Sequence, residues 1–81
     1  MTVTVRLFAT LREAAGAEAC WLALPPDAVG RDVQTALVGR YPQLQGLLAS
    51  ARMARNLDYQ AWEAPLHDGD EVCVIPPVSG G

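Results

Sequence analysis

The 81-residue chain predicts an α+β two-layer domain, a mixed sheet of four to five strands with one main helix across one face. Three observations predict it. Period-two alternation opens the chain at Thr2–Phe8, and the period lengthens to that of a helix between Gly30 and Tyr41. Short strand-like runs then return, and the last, Glu71–Ile75, is closed by Pro76-Pro77. A chain of this size has room for one core and buries only about 60% of the surface its unfolded form exposes.

In order, Thr2-Val3-Thr4-Val5-Arg6-Leu7-Phe8 places Val3, Val5 and Leu7 on one face of a first strand. Thr10 to Gly16 reads as a short helix, with Thr10 as its N-cap, Glu13 as the capping-box partner and Gly16 ending it in a left-handed turn. Ala19–Leu24 is a second strand, broken by Pro25-Pro26-Asp27. Val33, Ala36, Leu37 and Tyr41 recur at helical spacing, and Pro42 stops this main helix. Leu44–Ala51 is a helical turn or a loop, Arg52–Leu57 a third strand, and Asp58–Pro65 is left open. Asp68-Gly69-Asp70 is a turn signal before the final strand, which is apolar on both sides as a central strand would be. The β-grasp, or ubiquitin-like, architecture has this element order. Residues 1–76 are expected to form the domain and 77–81 a flexible tail ending in Gly80-Gly81.

Composition narrows the function. The net charge is -3, and nucleic acid or an anionic membrane surface calls for concentrated positive charge, so neither is an expected partner. The opening residues lack the greasy stretch of a signal peptide and no apolar run approaches the roughly 20 residues of a membrane span, which makes the cytoplasm the expected location. All six basic side chains are arginine, which excludes a Schiff-base lysine, a phosphate-loop lysine and a lysine attachment site. Cys20 and Cys73 fall inside strand-like runs and read as small buried hydrophobes; with His67 the single histidine, no metal site is expected. Asp68, Asp70 and Glu71 cluster at a tight turn, where acids shape and solvate the backbone more often than they catalyse. Trp21 and Trp62 read as cover for sheet surface or as partner anchors. The side chains assemble no catalytic set, so no cofactor is expected to be bound.

The last residues carry the chemistry. Pro76-Pro77 forbids further sheet pairing and stiffens the exit, and Val78-Ser79-Gly80-Gly81 can reach about 13 Å beyond it. Glycines without a β-carbon can thread a channel too narrow for other residues. A carboxylate there is a poor electrophile, because its leaving group would be oxide. Conversion to an acyl-adenylate by a nucleotide-dependent partner solves this, and sulfur can then displace AMP to give a thiocarboxylate. Glycine offers the least hindered acyl carbon for both steps.

Leu7-Phe8-Ala9 running into Leu11-Arg12-Glu13-Ala14-Ala15-Gly16, the helix closing on Tyr41-Pro42, Asn56, and Leu66-His67-Asp68-Gly69-Asp70-Glu71-Val72 leading into Ile75–Gly81 resemble the small subunit of molybdopterin synthase. The resemblance implies a non-catalytic sulfur carrier whose Gly81 is adenylated by a ubiquitin-activating-like enzyme at the expense of ATP. A sulfur donor then makes it a thiocarboxylate. The tail would enter the large synthase subunit and deliver sulfur to cyclic pyranopterin monophosphate, forming the molybdopterin dithiolene. Two large and two small subunits make the family's usual heterotetramer. Pro76, Pro77, Val78 and Ser79 would line the partner's channel with Gly80 and Gly81 at its site, while Phe8 and Ile75 would contact the partner's surface. Val29 stands where the family often has a capping Thr, and Asp58–Pro65 departs from the pattern. A sulfur carrier of the thiamine thiazole type, a ubiquitin-like protein modifier, and a plain interaction module are the rival readings.

Overall fold

The computed structural model describes residues 1–77. Its elements are β1 (Thr2–Leu7), α1 (Ala9–Ala15), β2 (Ala19–Ala23), α2 (Gly30–Arg40), two 3₁₀ turns (Pro42–Leu44 and Leu48–Ser50), β3 (Arg52–Arg55), β4 (Asp58–Gln60) and β5 (Glu71–Ile75). The strands form one mixed sheet in the order β2-β1-β5-β3-β4. β1 and β5 pair in parallel at its centre, and every other pairing is antiparallel. This is the predicted β-grasp, with β5 central as its two-sided apolarity required.

One face of the sheet carries the core. Val3, Val5 and Leu7 of β1, Leu22 of β2, Met53 of β3, and Val72 and Val74 of β5 are buried against Leu11, Val33, Leu37, Leu44 and Leu48. The alternation read from the sequence is thus the alternation of burial, since successive strand residues point to opposite faces. On the other face the register lines up Ala19, Arg6, Cys73, Ala54 and Tyr59 across all five strands, with Trp21 beside Thr4. Among the described residues no helix packs on that face.

Helix α1 corrects the expected cap. The chain reverses at Phe8 and Ala9, the latter with φ +49°, so Phe8 occupies the cap position without a side-chain hydrogen bond and Thr10 is already inside the first turn. Gly16 ends the helix at φ +71° with its N–H donating to the Arg12 carbonyl, as predicted.

Helix α2 solves its missing capping hydroxyl by other means. Val29 supplies no acceptor, but the Asp32 carboxylate accepts the Val29 N–H at 2.8 Å. The next two N–H groups, of Gly30 and Arg31, donate to the carbonyls of Ala64 and Trp62 at 3.0 and 2.7 Å. The segment left open in the sequence is therefore the cap of the main helix, satisfying the N–H groups that any helix start leaves orphaned. Gly30 is required there: a β-carbon would stand 2.6 Å from the Met53 side chain and 2.9 Å from the Trp62 carbonyl.

Candidate functional site

β5 delivers the chain to its tail from the middle of the sheet. Ile75 is half-buried, Pro76 follows, and Pro77 is exposed. Val78, Ser79, Gly80 and Gly81, the expected tail and acyl site, lie outside the described residues. The tail's root is described: Ser50, Arg52, Tyr59, Ile75, Pro76 and Pro77 line a cleft of about 320 Å³. The Arg52 guanidinium lies 5.7 Å from the centre of the Tyr59 ring, within range of a cation–π contact.

The two expected partner-contact residues come together here. Leu7 and Val74 are the last pair of the parallel β1–β5 register, and Phe8 and Ile75 are the residues that follow them in the two segments. Phe8 is 40% exposed and Ile75 partly so. Tyr59, 64% exposed, and Arg52 extend this surface across β3 and β4. The sequence reading missed both. Asp58–Gln60 is too short to display a period, and the only local signal is the turn before it. Trp21, 73% exposed, stands on the same face at the opposite edge strand, β2.

The acidic turn is structural. Asp68 Oδ1 accepts the Thr2 N–H at 2.8 Å, and Asp70, almost fully buried, accepts the His67 N–H at 2.8 Å and the Asn56 side-chain amide at 3.2 Å. Asn56 Oδ1 in turn accepts the Glu71 N–H. Glu71 pairs with Arg6 at 3.0 Å on the helix-free face. The loop thus ties the start of β1 to the start of β5 and to the turn after β3. Among the described residues no three His, Cys, Asp or Glu side chains converge as a metal site.

Cys20 and Cys73 are both free and buried, on opposite faces. Burial is the main cause pushing each thiol above its ordinary value; Arg40 opposes it at Cys20, while Glu71 adds to it at Cys73. A thiol held protonated is a weak nucleophile. No helix among the described residues is long and apolar enough to cross a membrane.

A chain that leaves the sheet at Pro76-Pro77 beside a mixed apolar and cationic face suits a molecule that presents its end to other proteins. Known proteins share this plan. The chain is 37% identical, with the whole of both chains covered, to a molybdopterin synthase sulfur carrier subunit of Chlamydomonas reinhardtii. The crystal structure of the small archaeal modifier protein SAMP1 from Haloferax volcanii superimposes with a TM-score of 0.91 at 31% identity, again over the whole of both chains. A chain of the complex of subunits 1 and 2 of the molybdopterin-converting factor from Helicobacter pylori 26695 matches at a TM-score of 0.70 and 26% identity over the full length of both. The ThiS family model matches residues 5–81, from β1 through both terminal glycines, and the chain belongs to the ThiS family.

Proposed function

We propose that the chain is the sulfur carrier subunit of a molybdopterin synthase, charged at the carboxylate of Gly81. The family match running through Gly80-Gly81 carries this reading. Full-length similarity to a named sulfur carrier subunit supports it. In the first step a partner enzyme joins the Gly81 carboxylate to AMP from ATP, releasing pyrophosphate. Sulfur from a donor then attacks the acyl carbon, AMP leaves, and a thiocarboxylate remains, ionised at neutral pH. Inside the large synthase subunit its sulfur bonds to a side-chain carbon of cyclic pyranopterin monophosphate as a carbon–oxygen bond there breaks and the oxygen leaves as water or on phosphate. Hydrolysis of the resulting thioester returns the Gly81 carboxylate and leaves a thiolate on that carbon, and a second charged carrier supplies the other dithiolene sulfur. The chain is a cosubstrate; it orients and delivers, and the catalytic side chains belong to its partners. Phe8 and Ile75 form the docking surface beside the tail, and Pro76, Pro77, Val78, Ser79 and Gly80 lie in the partner's channel. ATP-fed activation of this kind belongs to the cytoplasm.

The first test is the exact mass of the C-terminal peptide after incubation with ATP, a sulfur donor and the cognate adenylating enzyme. A shift equal to sulfur replacing oxygen, confined to Gly81, is expected. One Ala added after Gly81 should abolish charging while leaving the circular dichroism spectrum unchanged. A fully chargeable extended chain would refute the C-terminal mechanism. Protein modification is the second reading, motivated by the likeness to SAMP1. It predicts isopeptide-linked adducts of Gly81 on other proteins in cells, where a dedicated carrier stays free.

A further inference from the structure

We infer that the chain's own surface is built to be inert toward an activated carboxyl, so that the charged carrier neither cyclises nor joins to a second copy of itself. The inference rests on the proposed activation of Gly81. An acyl-adenylate or thioester is attacked by any available amine or thiolate. The nitrogen or sulfur bonds to the acyl carbon, the bond to AMP or thiol breaks with its electron pair, and the attacking group's proton passes to solvent. On a domain this small, such groups stand at high effective concentration around its own C-terminus. Three observations show them withheld.

All six cationic side chains are guanidinium groups, which stay protonated at every relevant pH and offer no lone pair. Arg12, Arg31, Arg40 and Arg52 are exposed, and a lysine at any of them would place a primary amine on the surface. Arg52 lines the cleft at the root of the tail itself. Both thiols are enclosed, each only 8% exposed, one on either face of the sheet. The α-amino group of Met1 donates to the Leu24 carbonyl at 2.7 Å and is partly buried, so it must surrender that bond before it can attack. What remains outside is weak. The exposed imidazole of His67 can accept an acyl group, but an acyl-imidazole hydrolyses and leaves no adduct.

A partner-independent experiment tests this. The full chain is prepared as a C-terminal mercaptoethanesulfonate thioester by thiolysis of an intein fusion, then incubated at high concentration near pH 8. Intact mass and denaturing gels read self-adducts. The native chain should yield only thioester and hydrolysed carboxylate. The doubly substituted Arg12→Lys/Arg52→Lys chain, with charge and fold retained, should give covalent dimer and cyclised monomer in roughly tenfold or greater excess over native. The native sequence unfolded in guanidinium should pass its acyl group to Cys20 and Cys73, a transfer absent from the folded chain. Equal adduct yields from native and lysine-bearing chains, or equal cysteine acylation folded and unfolded, would overturn the inference. A parallel assay of chain-dependent ATP–pyrophosphate exchange by the cognate adenylating enzyme keeps the two proposals apart. Absent exchange sinks the activation of Gly81, whereas the thioester result reports on the surface alone.

Discussion

Leu57 sits at φ +77°, directly after Asn56 at φ +49°. Arg55 and Asp58 pair across them, so the two residues form a mirror-image hairpin turn of the kind that favours Asn-Gly. Asn56 tolerates the left-handed region, but a β-carbon there costs Leu57 about 1–2 kcal/mol. Its side chain is 86% exposed and contributes little burial in return. Leu57→Gly should therefore raise stability by about 1 kcal/mol, partly offset by the looser unfolded chain. Urea denaturation at constant m-value checks it. A loss of stability would mean that Leu57 is packed in some way its exposure does not reveal. Asp70 illustrates the opposite economy at the same scale, since one small buried carboxylate holds two donors from two segments.

Trp62 braces the junction between elements. Its indole N–H donates to the Ala51 carbonyl at 3.0 Å while its own carbonyl caps α2 through Arg31. Trp62→Phe, which keeps the bulk and loses the hydrogen bond, should cost about 1 kcal/mol. Trp62→Ala removes a half-buried aromatic as well and should cost roughly 2–3 kcal/mol. Equal destabilisation in the two, measured by thermal denaturation, would show that packing contributes nothing. β1, α2 and β5 were legible in the sequence because each is long enough to repeat its period, and α2 and β5 are also bounded by glycine and proline. β4 and the Trp62 segment were not, because their order comes from contacts with β3 and α2 and leaves no local pattern. The Thr10 cap failed for a related reason: the reversal after β1 is fixed by where Leu7 must enter the core. The tail reading rests on residue identity alone, and Val78 to Gly81 lie outside the described residues. Arg52 and Tyr59 at its root were not legible, since only sheet register brings them to Pro76 and Pro77.

For the molecule as a whole, alkaline pH offers a clean probe. The folded chain keeps both thiols protonated above their ordinary value of 9.0, where the unfolded chain releases those protons. Their contribution to stability is whole below about pH 9 and is lost as pH rises through the folded values. No lysine titrates in that window, and the two tyrosines are common to both chains compared next. Stability should fall above pH 9 in the native protein and fall less steeply in Cys20→Ala/Cys73→Ala, whatever the substitutions cost at neutral pH. Parallel slopes would place the alkaline sensitivity elsewhere. The position of β5 has a mechanical consequence. It is gripped by β1 on one side and β3 on the other, so tension on the tail is borne in shear by both ladders together. An edge strand would instead peel away one hydrogen bond at a time. Any pull on the chain beyond Pro77 is therefore spread through the middle of the sheet, with the folded body acting as a handle.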